Sequence, residues 1–136
     1  MNSDKGPFLV VDDEPEICWV LERILRKAGS VCHTARDAKE AMALAECQPY
    51  RMAFLDAKLP DHDGLDLARR LLKSSPGIRI VIVSGYFYQD DPNIAAAIRS
   101  GLISAFVAKP FDHAEILRAI DSLCPVPESG KGPPVI

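Results

Sequence analysis

Apolar residues recur along this chain in two rhythms that take turns. Phe8–Val11 (FLVV) and Met52–Leu55 (MAFL) are unbroken apolar runs, and residues 78–83 (IRIVIV) form its most β-branched stretch. Runs this short, bounded by turn residues, fit strands buried on both faces. The other rhythm is helical. Ile17, Val20, Leu21, Ile24, Leu25 and Ala28 repeat at helical spacing behind Pro15, whose missing N–H costs nothing at a first helical position, and Gly29 supplies the stop. Trp19 falls off that stripe, on the side of Glu22, Arg23 and Arg26.

Weaker segments complete the series. Residues 31–34 (VCHT) and 104–108 (SAFVA) are short strand candidates. Asp37 with Glu40, and Asp112 with Glu115, make D-x-x-E capping patterns before an alanine-rich helix ending near Cys47 and a last helix ending near Cys124. Asp63 is placed to cap a helix over residues 65–73, which the Ser74-Ser75-Pro76-Gly77 cluster ends. Asp91-Pro92 opens a further helix that closes at Gly101. Five strand–helix units in strict alternation imply a parallel sheet with helices on both faces. Five strands are too few for a β/α barrel, which leaves a doubly wound (βα)5 sheet of flavodoxin-like order 2-1-3-4-5. A dinucleotide fold would need a glycine-rich first turn; DDEPE stands there, and its acids would repel a pyrophosphate.

Composition narrows the class. At 136 residues, with 48% hydrophobic and 26% charged positions, the chain suits one globular domain. The expected layout is an N-terminal extension over 1–7, the domain over 8–124, and a Pro/Gly-rich disordered tail or linker over 125–136. A net charge of -3 speaks against direct nucleic-acid binding. No apolar run approaches the ~18 residues of a membrane span, and MNSDKGP lacks a signal-peptide layout, so a cytoplasmic protein is expected. Cys18, Cys32, Cys47 and Cys124 show no metal-ligand spacing and read as free thiols.

The chemistry lies at the strand ends. Asp12 and Asp13 follow the first strand, Asp56 the third, Ser84 the fourth and Lys109 the fifth. In a 2-1-3-4-5 sheet the first and third strands flank the switch point, so the three carboxylates converge there. Together they repel, unless a cation is supplied. Mg2+, or Mn2+, suits such an oxygen site and keeps positions open for phosphate oxygens. Lys109 adds a point charge and Ser84 a hydroxyl donor. The set fits phosphoryl transfer to a carboxylate nucleophile.

VVDDEP, FLDAKLPDHDG, VSG and AKPF, in this order and at these spacings, resemble the response-regulator receiver domain of two-component signalling, the CheY-like superfamily, over roughly residues 8–124. The resemblance implies Asp56 as phosphoacceptor, Asp13 as a direct magnesium ligand, Asp12 acting on the metal largely through water, and the Lys58 backbone carbonyl as a third protein ligand. It implies Ser84 and Phe106 as the switch pair and Lys109 as the phosphoryl contact. Its implied partners are a histidine kinase or histidine phosphotransfer protein and a downstream protein or output domain, with a phosphorylation-dependent dimer compatible with it. The output face would run over the fourth helix, fifth strand and fifth helix, beside Tyr86-Phe87-Tyr88. Two departures stand out: GLISAFVAK is one residue longer than usual, and GYFYQDD is atypically aromatic.

Several residues carry narrower expectations. Lys58 is either a solvated loop lysine or, with Tyr86, an obstruction to water attacking the phosphorylated site, which would slow self-dephosphorylation. Lys58 also occupies the position where an aspartyl-phosphate phosphohydrolase, the rival reading, wants a second acid; a binding module independent of phosphorylation is the other rival. Glu14 reads as a helix N-terminal acid, and Trp19 as an exposed singleton or a kinase contact. His33, His62 and His113 receive no catalytic part. The expected product is a conformational population rather than a metabolite.

Overall fold

The unbroken apolar runs become the central strands of a parallel sheet. In the computed structural model, which describes residues 6–85 and 90–123, β1 (Phe8–Val11), α1 (Pro15–Lys27), β2 (Cys32–Ala35), α2 (Ala38–Cys47), β3 (Met52–Leu55), α3 (Gly64–Ser74), β4 (Arg79–Gly85), α4 (Pro92–Ser100), β5 (Ala105–Lys109) and α5 (His113–Leu123) alternate in order. The sheet runs β2-β1-β3-β4-β5 with every neighbouring pair parallel. This is the predicted doubly wound fold.

Strand alternation sorts the core into two layers. Leu9, Val11, Ala53, Leu55, Ile80 and Ile82 pack with the apolar faces of α2, α3 and α4. Phe8, Val10, Met52, Phe54, Val81 and Val83 pack with α1 and α5. Because β1 and β3 are covered on both sides, every one of their residues is buried.

The weak strands sit one residue later than their composition suggests. In β2 the ladder starts at Cys32 opposite Phe8, leaving Val31 exposed and supplying only its carbonyl to the Phe8 N–H. In the long 101–109 segment, Gly101 takes a left-handed conformation (φ 83°) and Ile103 turns into the core. Ser104 donates to the Ile80 carbonyl at 2.7 Å, and β5 itself begins at Ala105. β4 runs past the expected Val83 to Gly85, so Ser84 lies in the ladder opposite Ala108 rather than in a loop. The expected 1–7 extension, Tyr86-Phe87-Tyr88, Cys124 and the 125–136 tail fall wholly or largely outside the described residues.

Short acids fix the helix starts. Asp112 and Glu115 exchange hydrogen bonds of 3.0 and 2.9 Å in a reciprocal capping box. Asp37 takes the Glu40 N–H at 2.8 Å, while Glu40 reaches back to the Arg36 N–H instead of that of Asp37. Asp63 and Asp91 cap α3 and α4. Glu14, the N-cap residue of α1, makes no side-chain cap.

The turn after β3 is drawn tight. Lys58 and Asp63 form an antiparallel bridge, flanked by Leu59 N–H to His62 carbonyl (3.1 Å) and Gly64 N–H to Ala57 carbonyl (2.8 Å). A Cβ on Gly64 would run into the Asp56 carbonyl oxygen and lie 2.9 Å from Ala57 Cα, both backbone atoms that cannot swing away. Gly64→Ala should therefore lower stability by about 1–3 kcal/mol. Urea denaturation of the variant checks this, and a loss within about 0.5 kcal/mol of surface-substitution size would contradict it.

Candidate functional site

Parallel pairing brings the ends of β1, β3, β4 and β5 to one edge. The Asp12 N–H bonds the Ala35 carbonyl (3.1 Å) and the Asp56 N–H bonds the Val11 carbonyl (3.0 Å), which sets the two acids beside each other. Both are buried, while Asp13 is exposed. Carboxylate oxygens of Asp12, Asp13 and Asp56 lie within 4.8 Å of one another. Ser84 donates from Oγ to Asp56 Oδ1 at 2.9 Å, and the Lys58 N–H reaches the same oxygen at 3.2 Å. Lys109 Nζ stands 2.9 Å from Asp12 Oδ2, 3.0 Å from Glu14 Oε1 and 3.5 Å from Asp56 Oδ2.

The response regulator receiver domain family matches residues 8–121. The chain belongs to that family. Photosynthetic apparatus regulatory protein RegA of Cereibacter sphaeroides is 34% identical over 135 residues, covering 95% of this chain and 70% of RegA. The CheY-like receiver domain protein of Methanospirillum hungatei superposes with a TM-score of 0.77 at 28% identity, over 85% of this chain and 90% of that one. TrrA of Thermotoga maritima, crystallised in complex with Mg(2+)-BeF, gives 0.73 at 28% identity, over 86% and 97%.

The donor set of this receiver suits a hard divalent cation. Asp12 Oδ2 is buried and meets the Lys109 ammonium at 2.9 Å. A buried carboxylate oxygen with a free lone pair, facing two more carboxylates, is what Mg2+ or Mn2+ would complete. In a bridge of the Lys58–Asp63 register, the N–H and C=O of residue 58 point away from residue 63. The Lys58 N–H goes to Asp56 Oδ1. Among the described residues, the three aspartates are the one cluster of potential metal ligands.

Electrostatics follow from burial and crowding. Burial raises the pKa of Asp12 and the charge of Asp56 adds to the rise, against the pull of Lys109 and the Glu14 N–H. Burial alone would lower the pKa of Lys109, but its contacts with Asp12 and Glu14 and the charges of Asp12 and Asp56 outweigh that, so it stays an ammonium. Cys18 lies beneath the site with Sγ 3.2 Å from the Asp12 carbonyl. Its burial and the Asp12 charge push its pKa up to about 11, which keeps it a neutral thiol.

Asp12, Asp13, Asp56, Ser84 and Lys109 are thus brought together as their strand ends suggested. Phe106 lies on β5 opposite Ile82, half-buried against the α2–α4 layer. Lys58 is exposed beside the site, and Tyr86 lies outside the described residues. Trp19 is 59% exposed with the Arg23 guanidinium 4.7 Å above its ring. Glu14 stands at the start of α1 as expected, and its carboxylate also reaches Lys109, a contact across 95 positions that no local pattern announces.

Four carboxylates against one ammonium leave this edge strongly anionic. Because the pKa of Asp12 is raised above 3.8, its ionised form opposes folding: the stability this group allows is fully present below 3.8 and is lost as pH rises through the raised value. Metal-free Asp12→Asn should therefore unfold at a higher temperature than the wild type at neutral pH. Mg2+ at about 100 times its dissociation constant should add about 2.7 kcal/mol to the wild type and clearly less to the variant. Thermal unfolding in EDTA and in Mg2+ checks both.

Proposed function

We propose that this receiver is a phosphorylation-controlled switch with Asp56 as acceptor. The reading is carried by one observation: a buried carboxylate at the switch point of the sheet bonded to a hydroxyl and faced by an ammonium. An Asp56 oxygen attacks the phosphorus of a phosphohistidine, or of a small acyl phosphate, in line with the leaving group. The new P–O bond forms as the P–N or P–O bond of the donor breaks, and the leaving group takes the electron pair. Asp12, Asp13, Asp56 and the Lys58 carbonyl would hold Mg2+, which when bound neutralises charge on the phosphoryl oxygens. Lys109 neutralises a further phosphoryl oxygen, and the Ser84 hydroxyl turns from the carboxylate to the added group.

The response lies in a population of surfaces. Ser84 and Lys109 are drawn to the phosphoryl group, Phe106 moves with them, and the face of α4, β5 and α5 changes for a downstream protein or output domain. The donor is a histidine kinase or histidine phosphotransfer protein that meets the α1 side, where Trp19 and Arg23 stand exposed. Lys58 shields the acyl phosphate from water and lengthens its life. No described helix is long and apolar enough to cross a membrane, and a cytoplasmic site of action fits a kinase-fed switch. A phosphohydrolase would need a general acid two residues past the nucleophile, where this chain has Lys58.

Acetyl phosphate with Mg2+ should add the mass of one phosphoryl group to the wild type and none to Asp56→Asn; an unmodified wild type would refute the assignment. Turnover of small phosphoesters would point instead to the phosphohydrolase. Glu14→Gln should speed initial phosphorylation about two- to fivefold. Glu14 competes for Lys109 through an exposed ion pair, a contact of about 0.2–1 kcal/mol. Intact-protein mass spectrometry over time checks this, with a slower variant contradicting it.

A further inference from the structure

We infer that Asp61 is a positioning residue for the divalent-cation site, holding the 57–63 loop to the first turn of α2. The inference rests on the reading of that site given above. Asp61 Oδ1 accepts the Ala38 N–H at 2.9 Å and Oδ2 accepts the Lys39 N–H at 3.1 Å. These are the first two helical residues of α2, and the next N–H, that of Glu40, goes to the helix's own N-cap, Asp37. The orphan donors that begin this helix are therefore shared between a local acid and one from a different loop. Each Asp61 bond is charge-assisted and lies at the positive end of the helix. The Ala38 N–H holds the Asp61 carboxyl below its usual range, so it stays anionic at neutral pH.

The tether closes a circuit through both acidic turns. Asp12 is hung from the end of β2 by its N–H to the Ala35 carbonyl, and Ala38 follows three residues later. Ala38 and Lys39 grip Asp61, and the bridged loop carries that grip back to Lys58, whose N–H bonds Asp56. Asp56 in turn is hung from β1 at Val11, next to Asp12. Two turns that would each supply ligands to one ion are thus braced against each other through α2, as well as through the sheet. Mg2+ tolerates little departure from octahedral geometry, so the position of the Lys58 carbonyl sets affinity. Groups that orient metal ligands from outside the coordination sphere typically change affinity about 10- to 100-fold when removed.

An ordinary helix cap would stabilise α2 and leave the metal indifferent, and Asp37 provides that comparison within the same helix turn. Isothermal titration of Mg2+ into the wild type, Asp61→Ala, Asp61→Asn and Asp37→Ala separates the two. Asp61→Ala should weaken Mg2+ binding about tenfold. Asp61→Asn, whose amide oxygen can keep one of the two bonds, should fall between. Asp37→Ala should lower the unfolding temperature yet bind Mg2+ as the wild type does. Phosphorylation of Asp61→Ala by acetyl phosphate should be slow at low Mg2+ and recover at saturating Mg2+. In the wild type, Mg2+ should slow hydrogen exchange of the Ala38 and Lys39 amides, because coupling between two sites is reciprocal. Unchanged affinity in Asp61→Ala, or equal weakening in Asp37→Ala, overturns the inference. A wild type that binds no Mg2+ overturns the reading of the site itself.

Discussion

The ammonium of Lys109 is what allows acids to crowd one end of this sheet. Asp12 and Asp56 are buried, and at the separations seen here two such charges could not both persist without a cation between them. Lys109 reaches both, and Glu14 as well, from the last residue of the edge strand. The arrangement makes β5 more than a closing strand. Its register against β4, with Lys109 opposite Gly85 and Ala108 opposite Ser84, places the cation and the hydroxyl at neighbouring points over Asp56. A one-residue slip of β5 would turn the ammonium to the other face and leave the carboxylates unpaired. The electrostatics of the site and the register of the sheet therefore constrain each other.

The same crowding is a cost to the fold. Burial, with the charge of Asp56 adding to it, raises the pKa of Asp12 even though Lys109 stands 2.9 Å away, so ionising this edge works against the fold. What opposes the repulsion is distributed: the fully buried β1 and β3, the tight bridge between Lys58 and Asp63, and a glycine at position 64 where any side chain would strike the Asp56 backbone. A rigid scaffold with a crowded polar edge is the form expected where local rules yield to a functional site.

Much of this was legible in the sequence because it depends on order alone. Strict strand–helix alternation dictates a parallel sheet, and a parallel sheet gathers whatever follows each strand, so Asp12, Asp13, Asp56, Ser84 and Lys109 could be assembled without coordinates. The helix starts at Asp37, Asp63, Asp91 and Asp112 were equally readable, since a cap acts within three residues. What escaped were contacts with no local signature. Glu14 looks like any acid in a first helical turn, yet its partner is 95 positions away. Asp61 looks like a turn residue, yet it caps a helix that precedes it by more than twenty. The weak strands slipped by a residue because hydrophobicity favoured Val31, while the register with β1 left it outside.

The position of Ser84 inside β4 bears on how a signal could leave the site. Ile82 and Ser84 share one face of β4; Ile82 is opposite Phe106, and Ser84 is opposite Ala108. A phosphoryl group on Asp56 would pull on Ser84 from one side and on Lys109 from the end of the neighbouring strand. The pull on Lys109 would act on β5, which has a partner strand on one side only and so resists displacement less than β1 or β3 would, while the pull on Ser84 would act on β4, its neighbour. Moving a two-state surface from 1:99 to 99:1 needs about 5.5 kcal/mol of differential binding. One hydroxyl bond cannot supply that, since even a charge-assisted bond contributes about 1.5–3 kcal/mol. A shift of that size would need Lys109 to contribute as well, with its ties to Asp12 and Glu14 weaker after phosphorylation than before. The switch would then be as much a transfer of one ammonium between carboxylates and phosphate as a movement of Phe106.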